Sequence, residues 1–316
     1  MVVRQRMHPG DYLFAAYNMF LAIVWTVGGA GGTYHAAPWI AIGHVAVSVL
    51  PWILAKAPEH PWGFLAAVRE VFPILFLMAY WTELDALREI LGTHGFEDSI
   101  IRIDVAVFGQ QLHTTWPVAM DAYWFSEIMF FAYFAYYALI LLPPLWLALK
   151  GKRTALRDVM LRMMATYFSC YLVYIFFPVY GPRYTWEPHA GPHTEGFFYQ
   201  LVHAALDAGD SRGCAFPSSH VAGAVTIAWV GWRWFPRPIA ALLTLEAAGV
   251  VLATVYTQNH YAIDSLAGIV WALVLQAFLV PVALRAWNRR PTTKPVHLLP
   301  IFGETTTSTR TARGEP

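Results

Sequence analysis

Eight stretches of predominantly apolar residues, each near the length of about 20 needed to cross a bilayer as a helix, run through this 316-residue chain. They lie at roughly Tyr12–Ala30, Pro38–Ala55, Gly63–Trp81, Trp124–Leu149, Leu156–Pro178, Pro217–Trp234, Pro238–Tyr256 and Ala262–Ala286. Only 13% of the residues are charged, against about 25% in an ordinary soluble domain, so a water-soluble fold is not expected. In hydrocarbon a backbone must satisfy its own polar groups, which predicts an all-α integral membrane protein of about eight transmembrane helices. Arg4 and Arg6 before the first stretch resemble the start of a signal peptide. The stretch is long, however, and no small-residue cleavage site precedes the glycines at 28–32. A retained first helix is expected, with those glycines allowing close helix packing.

The basic residues give an orientation. Arg4 and Arg6 precede the first stretch, and Lys56 follows the second. Lys150, Lys152, Arg153 and Arg157 lie between the fourth and fifth, and Arg233 and Arg237 between the sixth and seventh. Arg285, Arg289, Arg290 and Lys294 follow the eighth. With eight spans all of these fall on one side, which the positive-inside rule makes cytoplasmic, in a plasma or inner membrane with both termini inside. The opposite loops are acidic or mixed: Glu83, Asp85, Glu89, Glu97, Asp98 and Asp104 in one, Arg183, Glu187, Glu195, Asp207, Asp210 and Arg212 in another. The net charge of +1 says little about partners beyond the bilayer itself, and no nucleic acid is expected. Cys170 falls in an apolar stretch and Cys214 in a loop, so no disulfide is expected and no zinc-type spacing exists. Thr82–Pro117 is too polar to span. Within it, FEDSIIRIDVAVFG has apolar residues near a helical repeat, and both an interfacial helix and an ordered loop stand as readings. Trp116, Tyr123 and Trp124 suit an aromatic belt.

Two polar segments open helices on the outer side: SRGCAFPSSHVAG at 211–223 and QNHYAIDSLAG at 258–268. The topology therefore delivers His220, His260 and Asp264 to one membrane face. His260 and Asp264 are four apart, on one face of a helix, where a carboxylate fixes an imidazole's tautomer and stabilises its cation. Such a spacing alone more often marks a structural hydrogen bond. Ser218, Ser219 and His220 follow Pro217 at a helix start, where free N–H groups and hydroxyls suit an anion and a histidine suits acid catalysis. Simple capping by serine is the plain alternative. FPVYGPRY at 177–184 ends the fifth helix and leaves Arg183 at the same face, fit to grip phosphate or lipid headgroups. Glu127 and Asp121, at the outer end of the fourth helix, are candidates to line the site or bind an acceptor hydroxyl. Glu246, His44 and the Arg69–Glu70 pair are read as structural, Glu246 with a histidine or tyrosine partner.

These pieces in this order resemble the type 2 phosphatidic acid phosphatase superfamily, whose motifs are Lys-x6-Arg-Pro, Pro-Ser-Gly-His and Ser-Arg-x5-His-x3-Asp. Here the second reads Pro217-Ser218-Ser219-His220. The third keeps His260 and Asp264 with Ala253 and Thr254 in place of Ser-Arg, and the first keeps Arg183 with Phe176 for lysine and Tyr184 for proline. The resemblance covers about Gly63 to Ala286. It implies residues 63–286 as a six-helix catalytic core with an extracytoplasmic interfacial segment at 82–117. Residues 1–62 then form a tail and two extra helices, and 287–316 a polar cytoplasmic tail. It also implies chemistry without metal or cofactor. His260 would attack phosphorus with Asp264 orienting it, and His220 would protonate the leaving group and later activate the acceptor. Ser218, Ser219 and Arg183 would hold the phosphoryl oxygens, and Tyr184 would line the cavity. Two of the family's three phosphate-gripping cations are missing, with Arg212, His189 and His193 the groups able to replace them. Fewer cations suit a phosphodiester, so transfer of a phospho-headgroup from a phospholipid to a lipid acceptor is favoured. The inositol phosphorylceramide synthase and sphingomyelin synthase branch looks similar. A phosphatidate or prenyl diphosphate phosphatase is the first alternative. A transporter is the second, disfavoured because the polar residues cluster at one end of the bundle.

Overall fold

A computed structural model describes residues 7–32, 34–56 and 63–289; the expectations for Arg4, Arg6, Arg290, Lys294 and the tail beyond 289 lie outside the described residues. The helices are α1 (Pro9–Gly28), α2 (Ala37–Lys56), α3 (Phe64–Leu91), α4 (Glu97–Phe108), α5 (Leu112–Ala119) and α6 (Tyr123–Leu149). There follow α7 (Arg153–Phe176), the single turn α8 (Pro182–Thr185), α9 (Phe197–Gly209), α10 (Ser219–Trp234), α11 (Arg237–Tyr256) and α12 (Ala262–Asn288). A π turn at Leu275–Leu279 interrupts α12.

Six helices are long and apolar enough to cross a membrane: α1, α2, α6, α7, α11 and α12. The other two expected spans fall on α3, which carries charged side chains towards both ends, and on α10, which has 16 residues. α10 is the hub, packed on α7, α11 and α12, while α6 packs on α9 and α11, α3 on α7, and α1 on α2. Aromatic rings fill the centre, with Tyr17 of α1 stacked on Phe168 of α7 at 4.1 Å. Gly28 lets α1 approach α3, because a Cβ there would meet the Ile90 side chain at 2.8 Å.

The sequence reading ends the third helix at Trp81, but α3 continues to Leu91 and stops at Gly92 in the left-handed conformation (φ +62°). Several of its charged residues find partners in protein. Glu83 accepts from Trp25 Nε1 and, at 2.7 Å, from His44 Nε2, and Asn18 links His44 to the Tyr80 hydroxyl. Of the two readings of the 82–117 segment, the helical one holds over Glu97–Phe108, with Ile100 and Asp104 buried. Arg69 pairs with Asp11 at 2.8 Å and lies 3.8 Å from Glu70, whose main partner is Arg157. Glu246 differs from its expectation: one carboxylate oxygen has no partner, and the residue faces an apolar groove between α6 and α11 without a histidine or tyrosine.

Candidate active site

Three loops meet where α10 and α12 begin. Val179 N–H donates to the Gly213 carbonyl and Ala215 N–H to the Val179 carbonyl, both at 3.0 Å, which joins the 177–184 and 211–217 segments. Ser218 N–H donates to the Asp264 carbonyl at 3.0 Å, joining the two helix starts directly. The approach needs Gly268, where a Cβ would stand 2.6 Å from the Ser218 carbonyl oxygen. Gly181 plays the same part against the Asn259 carbonyl.

This weave holds His260. Its Nδ1–H donates to the Ala215 carbonyl at 3.0 Å, which leaves Nε2 as the lone-pair nitrogen. Asp264 Oδ2 lies 3.6 Å from the same Nδ1 and accepts the Tyr261 N–H at 2.9 Å, so the carboxylate stands behind the ring as a nearby charge rather than its direct acceptor. Asp264 is fully buried, with Oδ1 unpartnered. The His220 ring sits 5.7 Å from that of His260, between Tyr136 at 4.5 Å and Tyr133 at 5.2 Å. Its Nε2 is 3.4 Å from the Tyr133 hydroxyl and its Nδ1 is buried without a partner.

Both histidines line a polar cavity of about 30 Å³ together with Arg183, Tyr184 and Asp210. That is room for about one water molecule. A second cleft, of about 460 Å³, shares Trp81, Asp210 and His220 with it and runs over Leu77, Tyr137 and Leu206 between α3, α6, α7 and α9. Its size and apolar lining suit a small or lipidic ligand with a polar head at the histidines.

The remaining sequence candidates have other places. Ser218 is fully buried and its hydroxyl accepts the Val221 N–H at 3.3 Å, capping α10. Ser219 N–H donates to the Tyr174 hydroxyl at 3.0 Å, so this helix start has little left for an anion. Arg183 faces the cavity but is ion-paired with Asp207. Arg212 is exposed, with its guanidinium 5.8 Å from the Tyr184 ring centroid. His189 lines a separate cavity behind Gln258, and the His193 side chain lies outside the described residues. Glu127 accepts the Phe198 N–H at 3.1 Å and the Tyr199 N–H at 3.4 Å, capping α9 rather than lining the site. Asp121 is exposed and borders neither the small cavity nor the cleft. Thr254, at the family's arginine position, is buried and bonded to Ser265 at 3.0 Å, so it adds no charge.

Sequence reasoning missed three groups. Asp210 receives the Tyr184 hydroxyl at 2.5 Å and the Ser211 N–H at 2.9 Å, and burial raises its carboxyl above the usual range. Asp104 of α4 accepts the Ile263 N–H at 2.7 Å, capping the helix that carries Asp264, and burial raises its carboxyl too. Arg88 is buried beneath the 211–215 loop, bonded to Asp85 and at 3.0 Å to the Tyr180 hydroxyl, while Ser211 donates to the same Asp85. The one sequence hint was an acid on the apolar face of an amphipathic segment, at Asp104.

Comparison with curated proteins and with solved structures returns no match. The family model described as the PAP2 superfamily matches residues 98–278, which includes both histidines, Asp264 and more than half of the chain. A bundle of apolar helices carrying that match over its histidine site belongs to the PAP2 superfamily of membrane lipid phosphatases and phosphotransferases.

Proposed function

We propose that this protein transfers a phospho-headgroup from a phospholipid to a lipid acceptor through a phosphohistidine on His260. The observation that carries this is the charge around the histidine pair. Arg183 is the one cation lining the cavity among the described residues; it is already paired with Asp207, and Asp210 adds an acid. A dianionic monoester would be poorly held there, whereas a phosphodiester brings a single charge. The cleft beside His220 supports a lipid substrate.

In the first step His260 Nε2 bonds to phosphorus as the P–O bond to the leaving lipid oxygen breaks, and His220 delivers a proton to that oxygen. In the second, His220 takes the proton of the acceptor hydroxyl, which attacks phosphorus and breaks the P–N bond. Asp264 stabilises the cationic ring in between, and Arg183 meets the phosphoryl oxygens. The reaction occupies the extracytoplasmic leaflet of an eight-span topology, α3 and α10 completing the crossings. A second reading, hydrolysis of a lipid phosphate, is favoured by the water-sized polar cavity, because water would then be the acceptor.

Purified protein is given labelled phosphatidic acid, a prenyl diphosphate, or phosphatidylinositol with diacylglycerol or ceramide, with and without EDTA. A new labelled lipid is the expected product, and free phosphate would establish the second reading. His260→Ala is expected to abolish turnover, and His220→Ala to accumulate acid-labile, base-stable phosphate. Turnover that survives His260→Ala would falsify the mechanism.

A further inference from the structure

α11 carries one acid, Glu246, at the middle of its length. It stands nine residues after Arg237 and ten before Tyr256, about 14 and 15 Å along the axis. In a helix apolar enough to span, that is the centre of a hydrocarbon layer about 30 Å thick. Oε1 of Glu246 is buried and has no hydrogen-bond partner among the described residues. The hydroxyls of the same helix are satisfied within the chain. Thr244 accepts from Trp232 Nε1 at 3.0 Å and donates to the Ala240 carbonyl at 2.8 Å, and Thr254 bonds to Ser265. An unpaired polar group is costly in hydrocarbon, so the carboxyl of Glu246 calls for a partner from outside the chain.

The residue opens on an apolar groove of about 390 Å³ between α6 and α11. The two helices run in opposite directions, with Phe125 against Tyr256 at one end and Trp146 against Phe235 at the other. Gly249 faces Ala132, whose Cβ lies 3.3 Å from where a Cβ on the glycine would stand, so Glu246 is level with Ala135. Along α6 the groove is lined by Phe131, Ala135, Ala138 and Leu142, at spacings of four, three and four. Along α11 it is lined by Ile239, Leu242 and Glu246, at three and four. These are the spacings of a seam that receives another helix, and the two alanines leave a hollow beside the carboxyl. Phe131, Leu142 and Leu242 stand exposed on its rim. Depth decides what fills it. The polar parts of a lipid lie at the bilayer surface, and what reaches the centre is hydrocarbon, which offers no hydrogen bond. Another membrane helix can bring one.

We infer that the groove is the interface of a homodimer, in which α11 of each copy lies against α6 and α11 of the other and the two Glu246 side chains bond to each other. A second copy brings the missing partner to the right depth. All copies insert in one orientation, so a two-fold axis along the membrane normal sets Glu246 level with the partner's Glu246. A carboxyl in its neutral form has one donor and spare acceptor capacity, so two of them satisfy each other. A single polar residue within an apolar seam also fixes its register, and a contact of this kind closes at two copies. The groove shares no residue with the small polar cavity or the cleft beside His220, and the dimer does not depend on the reaction assigned to them.

The test uses the full-length protein, labelled with a fluorescent maleimide at Lys152→Cys and reconstituted in phosphatidylcholine vesicles over a range of protein-to-lipid ratios. Photobleaching steps are counted on single complexes. A reversible monomer–dimer equilibrium that saturates at two steps is the expected result. Glu246→Gln keeps a donor and an acceptor and should retain it, whereas Glu246→Leu should weaken it about tenfold, the size of lost interhelical hydrogen bonding in a membrane. The leucine removes an acid from hydrocarbon, so the fold should not suffer. Ala135→Phe keeps the carboxyl and fills the hollow, and should abolish pairing. Oxidation of Leu242→Cys should give a disulfide-linked dimer, and Leu75→Cys, exposed on α3, should not. Single-step bleaching at every ratio, equal pairing of Glu246→Gln and Glu246→Leu, or equal cross-linking at 242 and 75 would overturn the interface. A bound lipid in native mass spectra, lost in Ala135→Phe while the parent stays monomeric, would give the groove to lipid instead.

Discussion

At the scale of single residues, the placement of the Ala215 carbonyl 3.0 Å from His260 Nδ1 separates two roles that the His-x3-Asp spacing merges. The carbonyl holds the tautomer, and Asp264, at 3.6 Å, supplies charge. Asp264→Asn is therefore expected to leave the tautomer in place and to lower kcat about 10- to 100-fold, the range for losing an outer partner of a functional histidine. A loss as complete as that of His260→Ala would show that the carboxylate alone holds the ring. Asp210 gives a pH signature. Burial raises its folded carboxyl above the ordinary value of 3.8, so the folded state binds that proton more tightly than the unfolded chain does. The resulting stability is fully present below the ordinary value and is lost as pH rises through the raised one. Asp210→Asn lacks this loss, so its thermal midpoint should improve relative to the parent as pH rises above the ordinary carboxylate value; a difference that stays constant with pH would refute the assignment. Much of this was legible in the chain: four-residue spacing and helix starts are local, and they located His220, His260 and Asp264. The Ala215 carbonyl, Asp210 and Arg88 were not, because their roles exist only once three distant loops are in contact.

Among the elements, the contact between the starts of α10 and α12 sets the geometry of the candidate active site, and Gly268 sets that contact. The Ser218 carbonyl, 2.6 Å from where a Cβ would stand, belongs to backbone held by its own bonds and has little freedom to retreat. Gly268→Ala should therefore part the two helices, destabilise the fold by about 1–3 kcal/mol and lower turnover with KM little changed, measured by thermal unfolding and steady-state kinetics. Unaltered turnover would mean that the pair tolerates a wider gap. Helix existence was readable here from apolar length, but helix ends were not. The charges at Glu83, Asp85 and Arg88 read as a loop because a sequence does not show that Trp25, His44, Tyr180 and Ser211 are waiting for them. The same holds for α4, whose helical spacing was visible while its partner was not. Asp104 caps α12 from that segment, which ties α4 to the helix that carries Asp264.

For the whole molecule, the two ends of the bundle have opposite characters. One end gathers the histidine pair and its small polar cavity; the other gathers Arg69, Arg153 and Arg157 over Glu70. Basic residues are retained on the cytoplasmic side, so the histidine end should face outwards. The chain suits a direct test, because both of its own cysteines, Cys170 and Cys214, are buried and burial also raises the Cys214 thiol above its ordinary range, which suppresses background labelling. Glu195, between α8 and α9 on the histidine side, and Lys152, just before α7 on the other, are both exposed. Glu195→Cys in intact cells should react with a membrane-impermeant maleimide, and Lys152→Cys should react only after the membrane is opened. The reverse pattern would place the histidines in the cytoplasm and move the reaction to the inner leaflet. Labelling of both sites in intact cells would mean an even number of crossings between them and would remove α7 from the set of spans; since α7 alone separates Lys152 from Glu195 and is long and apolar enough to span, opposite labelling of the two is the expected outcome.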